Sequence, residues 1–153
     1  MHSIQHRWDT GALLAYDATD DELAAFVART GAKRVVGLQW QHAGHSHAVE
    51  GFASLLRDRT GLVIGGADNG QSHELQVLNA DGSLRFVLRD QLASAVQGHG
   101  GARLQLPREG WPASDIAFGV IAVFANEPAC PVMLDVDWTD GRLIRVLPLP
   151  RGF

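Results

Sequence analysis

The chain has 153 residues, 46% of them hydrophobic and 20% charged, with 17 glycines and a single cysteine. That length predicts one domain, 1–153, large enough to fold without a metal or a disulfide. Thirteen Lys plus Arg against seventeen Asp plus Glu leave a net charge of −4, which argues against a nucleic-acid partner.

No run approaches the roughly 20 apolar residues of a membrane span, and residues 1–30 hold no apolar stretch of signal-peptide length. With Cys130 alone, no intrachain disulfide can form, and the expected compartment is a reducing cytoplasm.

Residues 4–8 and 12–16 flank Asp9-Thr10-Gly11 and predict a small hairpin. Thr19, Asp20, Asp21 and Glu22 supply an N-cap and first-turn carboxylates. Leu23, Phe26 and Val27 then repeat at helical spacing, so a helix is expected over 20–29, stopped by Gly31 in the left-handed region. Residues 34–40 are rich in β-formers and predict a strand. Residues 41–45 read as a loop. Ser46 caps a second expected helix, carried by Val49, Phe52, Ala53, Leu55 and Leu56 up to Gly61. A short buried strand at 62–64 and a Gly-rich turn at 65–70 follow.

The second half predicts antiparallel sheet. Asn79-Ala80-Asp81-Gly82 separates strands at 74–78 and 83–88, with Gly82 expected in a left-handed bulge. A short helix at 90–97, a loop at 98–101 and strands at 102–106 and 116–124 come next, the last two joined by a connector at 107–114. Trp138-Thr139-Asp140-Gly141 repeats the turn chemistry between strands at 132–137 and 142–147. A bulge at Gly141 would set Trp138 against Arg142, Val136 against Ile144 and Leu134 against Val146. The opposite face would then show water an acidic stripe, Asp135 paired to Arg145 and Asp137 beside Leu143. The fold class is α+β, a largely antiparallel sheet with two or three helices packed on it.

Two clusters carry candidate chemistry. His42, His45 and His47 place three imidazoles within six residues, a donor set that suits zinc, nickel or copper, with zinc the expected ion of a catalytic site. Glu50 would be their base or fourth ligand. This supports one reading of the chain as a metal-binding module or small metal-dependent hydrolase. The spacing matches no standard zinc motif, and Ser46 with Glu50 also fits helix capping. The second cluster is acidic: Glu127, Asp135, Asp137 and Asp140 around the penultimate strand. It would present a negative face to a cationic protein partner. Cys130, between Ala129 and Pro131, reads as a strand-edge packing residue, and the four tryptophans as core or interface anchors.

Phe118-Gly119-Val120-Ile121-Ala122-Val123, then Val132-Met133-Leu134-Asp135-Val136-Asp137 and the Thr139-Asp140-Gly141 turn, lie in a strand-rich C-terminal half. In that style the chain resembles immunity proteins of bacterial toxin systems, of the contact-dependent inhibition and type VI secretion kind. The resemblance implies a cytosolic, non-enzymatic protein that occludes the active site of a cognate toxin domain. It carries over no functional residue. A subunit of a homo-oligomer, joined through an exposed apolar strand, is a third reading.

Overall fold

A computed structural model describes residues 1–51, 53–64, 71–72, 75–92, 102–105 and 117–149. Among these residues the chain builds antiparallel sheets in which every strand pairs with a neighbour across a turn or a longer connection. The first sheet contains β1 (His2–Trp8), β2 (Leu13–Ala15), β3 (Val35–His42) and β4 (His45–Glu50) in the order β2-β1-β3-β4. The second holds β5 (Ala53–Leu55), β6 (Gly61–Ile64), β8 (Gln76–Asn79) and β9 (Leu84–Val87), ordered β5-β6-β8-β9. The third runs β13-β12-β11-β10-β7, with β7 (Gln71–Ser72), β10 (Ala102–Gln105), β11 (Ala117–Phe124), β12 (Glu127–Asp137) and β13 (Leu143–Pro148).

The second sheet is the middle layer, and the two-residue period of its strands explains why. Leu62 and Leu78 are register partners and pack with Ile4, Leu38 and Trp40 of the first sheet. Their neighbours Val63 and Val77 point the other way, into a cluster with Phe86, Val120, Leu134, Val136 and Trp138. A strand buried on both faces reads as a continuous apolar run, as Leu62-Val63-Ile64 does.

Helix α1 (Asp20–Thr30) forms as its sequence predicts. Thr19 Oγ1 accepts from the Glu22 N–H at 3.2 Å and donates to Glu22 Oε1 at 3.1 Å. Gly31 ends the helix at φ +71°, donating its N–H to Val27 O at 2.9 Å. Only Phe26 of the helix is fully buried, its ring 5.6 Å from that of Trp8 on β1. The first hairpin also forms as expected, β1 pairing β2 from Gln5↔Ala15 to Arg7↔Leu13. The β8–β9 turn carries Gly82 at φ +83°, closed by Gly82 N–H to Asn79 O at 2.9 Å.

The expected helix over 46–61 is the main correction. Its first part is strand β4, paired to β3 from Gly37↔Glu50 to His42↔His45. Ala43 and Gly44, at φ +50° and +80°, make the two-residue reversal that hairpins favour. With the chain turned back there, Ser46 caps no helix and instead accepts from Gln41 Nε2 at 3.1 Å. Strand β5 and the turn at Asp58, whose Oδ1 accepts from both the N–H and the hydroxyl of Thr60, take the remainder. The described protein is therefore more sheet-rich than the expected α+β arrangement, with α2 (Leu88–Gln91) the other described helix. The expected helix at 90–97 starts earlier than its sequence suggests, and its residues beyond 92 lie outside the described ones. So do the expected turn at 65–70, the loop at 98–101 and the whole 107–114 connector with Trp111.

The last hairpin keeps the expected register on one side of a bulge only. Leu134↔Val146 and Asp135↔Arg145 hold, but Val136 faces Leu143, not Ile144. Asp137 exchanges with Arg142, its N–H donating to Arg142 O at 2.9 Å, and Gly141 N–H closes onto Asp137 O at 2.9 Å. The turn thus spans four residues, and the register shift between Asp135 and Val136 absorbs the difference.

Candidate partner-binding surface

Strand alternation gathers the histidines on one face. His42 stands opposite His45 and Trp40 opposite His47, so all four side chains lie on the same side of the β3–β4 hairpin. The His47 ring stacks on the Trp40 indole at 5.4 Å and 21°. Glu50, the expected fourth ligand, is paired with Arg7 across β3. The residue between them is Gly37; a Cβ there would meet Arg7 Nη2 at 3.0 Å and Val49 O at 2.7 Å. Among the described residues, no three His, Cys, Asp or Glu side chains are placed to hold a metal ion. The hairpin tip sits against the β8–β9 turn instead. Trp40 Nε1 donates to Ala80 O at 2.7 Å. Asp81 of that turn is held below the usual carboxylate range, first by the Ser83 hydroxyl and amide, then more weakly by the nearby His42 and His47.

The acidic residues do not form one face. Glu127 opens β12 and Asp137 closes it; they pair with Phe124 and Ala117 of β11, which sets them about 23 Å apart along the sheet. Asp137 is half-buried and works in the turn, accepting from the Thr139 N–H at 2.8 Å and from the Thr139 hydroxyl. Those bonds hold its carboxyl below the usual range. Asp140 is exposed and accepts from the Arg142 N–H at 2.9 Å.

Asp135 corrects the expected stripe most sharply, because only 1% of it reaches solvent. Strand β12 is covered on both faces there, with Met133, Leu134, Asp135 and Val136 all buried. Alternation puts Met133 and Asp135 on the face turned away from the core cluster that holds Leu134, Val136 and Trp138, and both are nonetheless buried. Trp138 is buried in the core cluster as the hairpin predicts. Cys130 is exposed on β12 rather than packed.

What the described surface of this region offers is strand β13. It closes the third sheet on one side, and its large apolar residues Ile144 and Val146 are exposed. Arg145 lies between them. Sequence reasoning identified Arg145 only as the partner of a surface acid. The legible signal for its setting was Asp135 inside the run Val132-Met133-Leu134-Asp135-Val136, apolar on both sides of a lone carboxylate.

With this geometry in hand, the fold has a solved counterpart. The chain is similar to one described as "Structure of Tne2 in complex with Tni2", with a TM-score of 0.70 at 18% identity. The superposition covers 96% of this chain and 97% of that one. No protein-family model matches the sequence. No curated protein matches it either. The likeness shows a shared fold over nearly the whole of both chains. No helix among the described residues is long and apolar enough to cross a membrane.

Proposed function

We propose that this chain is a non-enzymatic binding protein of the immunity type, neutralising a cognate toxin domain by covering its active site. The observation that carries this reading is the end-to-end fold likeness to a chain of a structure solved as a complex of two proteins. The style of the C-terminal strands supports it from the sequence side. The layered core supports it physically. Its inner side chains are fixed by packing on two sheets, so the exterior is ordered before a partner arrives and little ordering entropy is lost on association. A surface of standard size, roughly 800 Å² per partner, is within reach of a protein of this length.

The reading is tested by growth protection. The genes flanking this chain's own are searched for toxin domains, and each one found is produced in a host with and without the full chain. Restored growth, with both proteins accumulating, is the expected result. Growth arrest despite normal accumulation of both proteins overturns the reading.

A further inference from the structure

The pairing of a buried acid with an exposed cation joins β12 to β13 at the described edge of the third sheet. Arg145 Nε donates to Asp135 Oδ2 at 2.6 Å, yet the arginine side chain is 57% exposed while the aspartate side chain is 2% exposed. The second aspartate oxygen, Oδ1, is buried and has no hydrogen-bond donor among the described residues. Burying a carboxylate that is only half satisfied is costly, and an apolar pair of similar volume would hold the two strands at least as well. What the acid does accomplish is orientation. It grips the guanidinium through Nε and leaves both Nη groups unpartnered among the described residues, at a fixed place on β13.

The strand around Arg145 is suited to receive another strand. No described strand pairs with its outer edge. Ile144 and Val146 flank the arginine and are 38% and 53% exposed. Pro148, which has no N–H to donate, limits the useful edge to the residues before it.

We propose that β13 is a docking strand: an extended segment of another protein adds to this edge, with a carboxylate side chain set against Arg145. Apolar side chains of the segment lie over Ile144 and Val146. Main-chain bonds along the edge supply affinity, and the bidentate Arg–carboxylate contact supplies specificity. A second copy of this chain is the poorer occupant. Antiparallel self-pairing centred on the exposed stretch sets Arg145 against its own copy, and like charges directly opposite are unfavourable. The proposal deepens the binding-protein reading, naming the edge and the chemistry of what it binds.

The test uses the isotopically labelled full chain and blocked synthetic peptides, Thr-Val-Glu-Val-Thr and its Lys-centred counterpart, so it does not depend on any toxin. Saturable NMR shifts at the amides of Ile144, Arg145 and Val146 and at the Arg145 side-chain Nε–H are expected. The Glu peptide should bind at least about fivefold more tightly than the Lys peptide, a preference charge complementarity at one desolvated contact can supply. Arg145→Gln should erase that preference while weak main-chain binding persists; Arg145→Lys, which keeps the charge but loses the fork, should reduce it without erasing it and serves if Arg145→Gln fails to fold. Equal binding of the two peptides, or no shift at β13, overturns the proposal. Concentration-dependent shifts at β13 without peptide also overturn it, in favour of self-association. Failure here with successful growth protection would sink the edge and leave the immunity reading standing; the converse would do the opposite.

Discussion

The indole N–H of Trp40 donates to the carbonyl of Ala80 at 2.7 Å, one buried bond tying the first sheet to the turn of the middle sheet. Trp40→Phe keeps most of the ring area but strands that carbonyl. An unsatisfied buried acceptor costs about 1–3 kcal/mol. Urea unfolding should show a lower midpoint with an unchanged slope. An unchanged midpoint would mean the bond does not bind the layers together.

Gly141 should be far less tolerant than Gly82, although both have φ above +80° or close to it. A Cβ at Gly141 would lie 2.7 Å from Gln91 Cγ and 2.8 Å from Phe86 Cδ2. At Gly82 the nearest atom is His47 Nδ1, at 3.2 Å. Gly82→Ala should therefore cost about 1–2 kcal/mol from backbone conformation alone. Gly141→Ala adds overpacking of about 1–3 kcal/mol. Thermal melts of the two variants check the order.

Acid should destabilise the protein below about pH 4, the range in which free aspartate titrates. Asp9 is held low chiefly by the Lys33 backbone N–H, Asp81 chiefly by the Ser83 hydroxyl, and Asp137 chiefly by the Thr139 hydroxyl. In each, the folded carboxyl releases its proton more readily than the unfolded one. The stability they add is thus present above the unfolded value and lost as pH falls through the folded values. Asp81→Asn should lower stability at neutral pH and flatten its fall in acid. A midpoint of unfolding independent of pH between 5 and 2.5 would contradict this assignment.

Removing one partner of the β12–β13 ion pair should hurt more than replacing both. Arg145→Met leaves Asp135 buried without its cation, a loss of about 1–3 kcal/mol after allowing for the arginine's exposure. Asp135→Leu with Arg145→Met should recover most of it, because the surroundings are apolar. A double-mutant cycle by denaturant unfolding measures the difference.

The histidine face admits a direct check as well. The metal reading expects stoichiometric zinc in protein purified without an affinity tag, abolished by His45→Ala. The binding-protein account expects less than one zinc per chain and no change in unfolding midpoint on chelation.

Local chemistry was legible where local bonds decide the structure. Thr19 with Glu22, Gly31, and the Asn79–Ser83 turn all form as their residues dictate. The stretch from Ser46 was misread because Val49, Ala53 and Leu56 fit a helical stripe as well as they fit two short strands. Only the reversal at Ala43-Gly44 decides between them, and alanine is a weak marker of a left-handed position. Asp135 was misplaced for a different reason. Alternation says which residues share a face, but not whether that face meets water. The pairing of Asp135 with Arg145 was readable; its burial was not, because it lies on the face away from the core cluster and is still closed to solvent.

The most direct measurement is calorimetric titration of the purified full chain with the purified toxin domain against which it protects growth, followed by an assay of that domain's activity. The account predicts a one-to-one complex with a Kd at or below about 10 nM and abolished toxin activity, with Arg145→Ala weakening the complex. An absence of binding heat at several temperatures, or full toxin activity in the presence of excess chain, would contradict it.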